Sequence, residues 1–264
     1  MASFLIPRRR FLLQSAMSFG GLLLAGCDRL AGSPPVSKLL ENTEGLTLRA
    51  QRALAGRSAL ATEYTSADVS DVFRSNGTSM PRDESYQRLL ADGFTQWRLS
   101  VSGLVQRPAS YSLAALRTLP ARTQITRHDC VEGWSAIAGW TGVPLALLLR
   151  AAGVARSARY VVLHCADTLE GNPEKGGDER TGRYYESIDL VDAFHAQTIL
   201  AYDLNGQPLP VANGAPLRLR VERQLGYKHA KYVMGIEVTD RLDAIGGGKG
   251  GFWEDRGYEW YAGI

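Results

Sequence analysis

The amino-acid sequence predicts an α+β (mixed α/β) fold, and three observations carry that prediction. Apolar runs of strand length recur at irregular intervals. Short helical segments with recognisable caps stand between them. No internal repeat, heptad or second composition regime interrupts the pattern. A regular strand–helix–strand alternation is missing, which sets the pattern apart from a doubly wound parallel sheet.

Helix-favouring residues from Thr43 to about Ala61 (Leu46, Leu48, Ala50, Ala53, Leu54) predict a peripheral helix. Trp97–Gly103 alternates apolar and polar residues and reads as a strand. Ser112 caps a short helix carrying Leu113, Leu116 and Leu119. Gln124–Cys130 is a strand running into a loop. Pro144–Ala152 is a short apolar helix stopped by Gly153. Tyr160–Cys165 is a buried strand with Cys165 as one of its packing residues, and Asp189 caps a helix reaching His195. Thr198–Leu204 and Leu217–Val221 are strands, and Asn205-Gly206 makes a tight turn after the first. Val233–Val238 is the last strand. Beyond it, Gly246–Gly251 holds five glycines in six residues and is followed by aromatics. Such a tail is expected to pack on the domain, with Trp253, Tyr258, Trp260 and Tyr261 as anchors, docking on a membrane partner being the other use.

At 264 residues with 45% hydrophobic side chains, the chain can bury a sizeable core and is neither disordered nor collagen-like. Three cysteines exclude a disulfide-stapled miniprotein. The formal charge of +3 arises from Arg8, Arg9 and Arg10; without residues 1–26 the chain carries 27 basic and 27 acidic side chains. No basic surface is implied, and no nucleic-acid partner is expected.

Residues 1–26 resemble a twin-arginine export signal: an arginine run, Phe-Leu-Leu, then a weakly apolar stretch. Phe11–Gly26 is 16 residues long and broken by Gln14, Ser15 and Ser18, short of the roughly 20 apolar residues that span a bilayer. Leu24-Ala25-Gly26-Cys27 resembles a bacterial lipoprotein box, with the Cys27 sulfur as the lipid anchor. The expected organisation is a signal over 1–26, a Pro/Ser/Gly-containing tether over 27–42 and a catalytic domain over 43–264. The expected location is the periplasm, anchored to the inner membrane.

Chemistry concentrates in Arg127-His128-Asp129-Cys130-Val131-Glu132-Gly133-Trp134. The polar neighbours argue against a purely structural thiol. A nucleophilic thiol served by His128 competes with a thiolate metal ligand, although residues i and i+2 on a strand share a face without reliably joining their tips. Zinc lacks the paired Cys and His spacings it needs. A centre that brings most of its own ligands needs only one thiolate, which molybdenum held by a pterin dithiolene satisfies.

This segment, continued by Gly-Trp-Thr-Gly-Val-Pro-Leu, resembles the cysteine motif of the sulfite-oxidase superfamily. So do Leu200-Ala-Tyr-Asp-Leu-Asn-Gly-Gln-Pro-Leu-Pro, Asn213-Gly-Ala-Pro-Leu-Arg218-Leu and Gly226-Tyr-Lys-His-Ala-Lys231-Tyr, in the family's order. The match is best to the exported branch, which includes periplasmic methionine-sulfoxide reductase catalytic subunits. The resemblance implies a sulfite-oxidase-type molybdopterin-binding catalytic domain without the appended dimerisation domain. Cys130 is then the molybdenum ligand. Asn76, Asn213, Arg218, His229, Ala230 and Lys231 hold the pterin and its phosphate, and Tyr184 is a hydrogen-bond donor or proton shuttle at the metal. Without that resemblance, Lys228, His229 and Lys231 read as a solvated basic patch.

The resemblance also has a gap. Sulfite oxidases carry a substrate-binding arginine five residues after the cysteine, where this chain has Ser135; Arg74, Arg127 and Arg183 are the candidates to replace it. No haem motif is present, so a membrane or periplasmic electron-transfer protein, haem- or quinone-linked, is the expected partner of a monomeric enzyme. The expected activity is molybdenum-dependent oxidoreduction of a small molecule such as a sulfoxide or another S- or N-oxide. Sulfite-type oxidation, a non-catalytic lipoprotein binding module, and a cysteine hydrolase built on Cys130 and His128 are the alternatives.

Overall fold

The computed structural model describes residues 45–54, 56–169 and 182–264. The twin-arginine segment, the Cys27 box and the tether lie outside the described residues. The chain divides into two units, Met1–Ala50 and Gln51–Ile264. Residues 45–50 of the first and 51–54 of the second are helical. The helix expected to reach Ala61 therefore ends early, at a left-handed Gly56 (φ 72°).

The second unit is built from β1 (Arg98–Gly103), β2 (Ala109–Ser112), β3 (Arg122–Asp129), β4 (Ser135–Pro144), β5 (Tyr160–Thr168), β6 (Arg183–Asp189), β7 (Thr198–Leu204), β8 (Gln207–Pro208), β9 (Arg218–Val221) and β10 (Val233–Thr239). Helices α1 (Glu84–Ala91), α2 (Leu113–Thr118), α3 (Leu145–Ala152) and α4 (Leu190–Ala193) join them. One sheet runs β2-β1-β10-β5-β6 and the other β3-β4-β7-β8, with β9 on β7. Among the described strands, only the β1–β10 pair is parallel.

The core lies between the sheets. Leu99, Leu163 and Ile236 of the first pack in one buried cluster with Val143, Leu200 and Leu219 of the second and with Leu145, Leu148 and Leu149 of α3. Truncating one such leucine to alanine costs about 2–5 kcal/mol. The expected local signals operate as read. Ser112 Oγ accepts from Ala115 N at 3.0 Å, Gly153 closes α3 in the left-handed region, and Asn205 and Gly206 turn the chain with φ of 50° and 74°.

Some boundaries move. Asp189 caps α4, accepting from Asp192 N at 2.8 Å, but the helix stops at Ala193, and His195 beyond it bonds the Ala59 carbonyl at 3.0 Å. The strand expected over Gln124–Cys130 is Arg122–Asp129, so Cys130 stands in the loop, and β9 begins at Arg218 rather than Leu217.

β3 buries Gln124, Thr126 and His128 on one face and leaves Arg127 exposed on the other. Most of that polar inner face is satisfied by Arg220 of β9 and by Glu222 just past the strand's end. Arg220 Nη1 donates to His128 Nδ1 at 2.9 Å and Nη2 to Glu222 Oε2 at 2.6 Å, while Gln124 Nε2 donates to Glu222 Oε1 at 2.8 Å. The network fixes the end of β3 from which the candidate ligand cysteine projects.

The C-terminal tail packs on the domain. Gly251 bridges to Glu186 of β6, Phe252 N donates to Tyr185 O at 3.0 Å, and Trp260 Nε1 donates to Ser187 Oγ at 2.8 Å. A Cβ on Gly246 would lie 2.3 Å from the Tyr185 hydroxyl, in a backbone with φ of 58°, so only glycine fits there.

Candidate active site

A cavity of about 160 Å³ opens where the ends of β3 and β5, the start of β6 and the β9–β10 connection meet. Five residues singled out from sequence line it: Asn76, Cys130, Tyr184, His229 and Lys231. They come from segments as far apart as positions 76 and 231, brought together by the two sheets.

Cys130 is placed by the β3–β4 turn. Its N–H donates to Trp134 O at 2.9 Å, and its carbonyl accepts from Gly133 N at 3.0 Å. Burial pushes the thiol up, while the backbone N–H groups of Glu132 and Val131 favour the thiolate. A metal ion bound at this sulfur would supply the remaining drive to lose that proton. Cys165 is fully buried within β5, as its strand position predicts, and burial raises it well above an ordinary thiol.

The paired-nucleophile arrangement does not form. His128 Nδ1 is occupied by Arg220, and its Nε2 has no partner. Burial and the charge of Arg220 keep both His128 and His229 neutral. His229 Nε2 donates to Gln224 O at 3.0 Å. Its Nδ1 is therefore a buried acceptor without a partner.

Lys231 is 6% exposed, Lys228 0% and His229 3%, which rules out a solvated basic patch. Lys231 Nζ donates to Asn76 O at 2.6 Å and Ala212 O at 3.0 Å, and also to Thr78 O. It thereby pins the segment bearing Asn76 against the cavity. Lys228 serves elsewhere: its Nζ lies 2.5 Å from both Glu186 Oε1 and Glu254 Oε1, in a sealed triad beneath the tail.

Three of the singled-out residues stand behind the cavity lining. Arg218, fully buried, donates Nη1 to Asn213 O at 3.0 Å and Nη2 to His229 O at 3.3 Å, with its guanidinium 4.9 Å from the Trp140 ring centroid. Ala230 contributes backbone only, its carbonyl accepting from Leu219 N at 2.8 Å. Asn213 Nδ2 and Arg218 Nε have no partner. Tyr184 does line the cavity, and its hydroxyl donates to Tyr227 O. Burial, reinforced by Glu186 and Glu254, raises the phenol well above its ordinary value, so it stays protonated.

None of the three arginines offered as replacements for the missing one reaches the cavity. Arg74 is exposed, Arg127 pairs with Asp129 at 2.9 Å on the outer face, and Arg183 pairs with Asp83 at 2.6 Å. Ser135 Oγ donates to Asp129. Among the described residues, Lys231 is the one Lys or Arg in the lining, which also holds the carboxylates of Glu132 and Asp167.

Asp167, Trp253, Tyr227 and Tyr258 also line the cavity and were not anticipated as site residues. For Asp167 the signal was faint: one acid two positions past Cys165, at the end of an apolar strand. Burial raises its carboxyl to about 6 against the pull of Lys231, and its Oδ1 has no partner. Burial and Arg218 lower Lys231 to about 7.

The orphaned atoms test the fit of a pterin-held molybdenum. A pterin edge presents amino and ring N–H donors. Asn76 Oδ1, Asp167 Oδ1 and His229 Nδ1 are unpartnered acceptors on residues of one cavity. Cys130 offers a soft sulfur donor in the same wall. The described residues gather no group of three or more His, Cys, Asp or Glu suited to hold a metal ion on their own. The donor set fits a centre that arrives with its own ligands.

Comparison with known proteins agrees with this chemistry. Residues 86–244 match the oxidoreductase molybdopterin-binding domain. The chain is 37% identical over 259 residues, 98% of its length and 88% of the relative's, to a putative protein-methionine-sulfoxide reductase subunit YedZ1 of Azospira oryzae. It is 30% identical over 240 residues, 89% of its length and 70% of the relative's, to the protein-methionine-sulfoxide reductase catalytic subunit MsrP of Xanthomonas campestris. Among solved structures, the sulfane dehydrogenase SoxCD of Paracoccus pantotrophus aligns with a TM-score of 0.48 at 22% identity, covering 56% of this chain and 39% of that one.

Proposed function

Because the chain belongs to the molybdopterin-binding oxidoreductase family and is a molybdenum-cofactor-dependent oxidoreductase, we propose that it reduces sulfoxides. The reaction consumes two electrons and two protons, breaks the S–O bond and yields a thioether and water. A redox protein supplies the electrons; a haem- or quinone-linked membrane or periplasmic protein fits that role.

The observation that carries the direction is the charge of the cavity. Sulfite is an anion and needs cations around it. Among the described residues the one Lys or Arg in the lining is Lys231, already bonded to backbone carbonyls; no other cation is left for an anion, which suits a neutral S=O group.

The cofactor supplies the two-electron redox chemistry when bound. Cys130 is its thiolate ligand in this proposal. Asn76, Asp167 and His229 accept the hydrogen bonds of the pterin edge. Lys231 and Arg218 add positive charge near the phosphate, and Arg218 additionally orients the backbones of Asn213 and His229. Tyr184, held protonated by burial, lines the same cavity; its one hydroxyl proton is engaged by Tyr227 O and serves the substrate as donor only when that bond is exchanged.

The test uses protein made in a molybdate-supplied host, with metal and pterin analysis and reduced viologen as electron donor. Viologen oxidation on adding a dialkyl sulfoxide is the expected result. Oxidation of sulfite with an electron acceptor, and no sulfoxide reduction, overturns the proposal. A Cys130→Ala variant is expected to fold and to carry no molybdenum.

The same proposal includes export through the twin-arginine segment and lipidation of Cys27. Palmitate labelling that disappears in Cys27→Ser, with the protein moving from membrane to soluble periplasmic fractions, is the expected outcome.

A further inference from the structure

The C-terminal tail contributes more to the cavity than closure. Trp253 and Tyr258 are in its lining, their rings stacked with centroids 5.3 Å apart and planes 29° from parallel. Tyr258 meets Tyr227, also in the lining, edge-on at 5.2 Å. Phe252 backs Trp253 at 5.2 Å and is itself stacked on Tyr184 at 5.6 Å. The rings thus form a continuous wall reaching from Tyr184 to the outside.

The lining is graded from inside to outside. Asp167, His229 and Lys231, the polar groups suited to a cofactor, are all nearly inaccessible. At the mouth, Tyr258 is 41% exposed, and so is Val131, the residue after Cys130, at 44%. Trp253 lies between these extremes. A substrate entering from solvent meets the aromatic pair and Val131 before it reaches the Cys130 region. Trp253, Tyr258 and Val131 themselves carry no formal charge, and the exposed Glu132 is the ionisable group beside them in the lining.

We propose that Trp253 and Tyr258 are specificity-determining residues, forming the surface against which the apolar substituents on the substrate's sulfur lie while its oxygen points inward. This rests on the sulfoxide reading above and deepens it. The substrate class it selects is a neutral sulfoxide with at least one sizeable alkyl or aryl group. Ring faces attract such groups through apolar burial and through contacts with polarisable sulfur. The wall is held in place by its neighbours: Glu254 by Lys228, Asp255 by Tyr185 at 2.6 Å, and the Tyr227 hydroxyl by Glu259 O at 2.6 Å.

The experiment measures binding of methyl p-tolyl sulfoxide and of dimethyl sulfoxide to the oxidised, molybdenum-loaded protein by calorimetry, alongside turnover with reduced viologen. For Trp253→Leu, the preference for the aryl sulfoxide, taken as the ratio of the two Kd values, is expected to fall about fivefold to tenfold, consistent with about 1 kcal/mol for an aromatic contact. Trp253→Phe restores most of it. Molybdenum content and melting temperature are measured on every variant; if Trp253→Leu does not fold, Tyr258→Leu at the more exposed position carries the same test. An unchanged ratio in folded, loaded variants overturns the wall, as does a wild-type protein that binds neither sulfoxide. Wild-type protein that binds the aryl sulfoxide in a Trp253-dependent way but never reduces it upholds the wall and overturns the sulfoxide-reductase reading.

Discussion

Lys228 Nζ sits 2.5 Å from Glu254 Oε1 and the same distance from Glu186 Oε1, with all three side chains sealed from solvent. One cation thus joins β6 to the tail that forms the cavity mouth. Breaking a buried ion pair by removing one partner costs about 3–5 kcal/mol. Lys228→Met is expected to lose that much stability near pH 7 in urea unfolding. Burial and the neighbouring Glu254 charge raise the Glu186 carboxyl well above its ordinary value. Its unfavourable charging therefore grows as pH rises, and the deficit is expected to be larger at pH 8 than at pH 5. A pH-independent loss below 1 kcal/mol contradicts the role of the triad.

Asp167 predicts a separate pH signature in cofactor-free protein. Its carboxyl is raised from 3.8 to about 6, so the folded state holds the proton more tightly than the unfolded one between those values. Its contribution is fully present below about 4 and is lost as pH rises through 6. The melting temperature of wild type relative to Asp167→Asn is expected to fall across that window. A flat difference curve counts against it.

Lys231 works in the opposite sense. Lowered from 10.5 to about 7, it penalises folding most where it must be charged, below 7, and that penalty fades as pH rises towards 10.5. Wild type relative to Lys231→Met should gain stability over that range. Loss of the bonds to Asn76 and Thr78 carbonyls should also speed amide exchange across residues 75–78, which mass spectrometry can read.

Arg218 separates cofactor binding from stability. It is buried with two backbone acceptors and no carboxylate in an ion pair. Arg218→Met gives up those bonds but also removes an unpaired buried charge, two terms of opposite sign. The apo protein is expected to melt within a few degrees of wild type while retaining far less pterin. Full pterin retention would contradict the positioning of Asn213 and His229 by this guanidinium.

The two described cysteines should differ in reactivity. Cys130 borders an open cavity, and Cys165 is fully buried. Iodoacetamide is expected to label Cys130 in apo protein, to be blocked there once molybdenum is loaded, and to reach Cys165 only on unfolding. Mass spectrometry of the tryptic peptides checks all three.

Where sequence reasoning fell short, the residues show why. β4 escaped notice because three of its five buried positions (Ala136, Ala138, Trp140, Gly142 and Val143) are alanine or glycine; such small residues mute an alternation that depends on hydrophobic contrast. β6 was hidden for the opposite reason, since Glu186 and Ser187 are buried polar residues in a strand covered on both faces. α1 did carry a signal, Asp83 accepting from Tyr86 N at 2.9 Å, which the Asp-x-x-Tyr spacing could have revealed.

By itself, the sequence determined the α+β class and the local caps and turns, and it singled out the Cys130, Asn213–Arg218 and Gly226–Lys231 motifs as stretches of unusual side-chain type. These depend on backbone preference and on side-chain type over a few neighbouring residues. Only the tertiary structure decided that Asp167 and the tail rings share the cavity with Cys130, that Lys228 belongs to the tail while Lys231 belongs to the site, and that no arginine among the described residues lines the cavity. Which long-range neighbours meet is decided by how two sheets pack across a common core, and the burial this imposes on charged groups appears in no short stretch of residues.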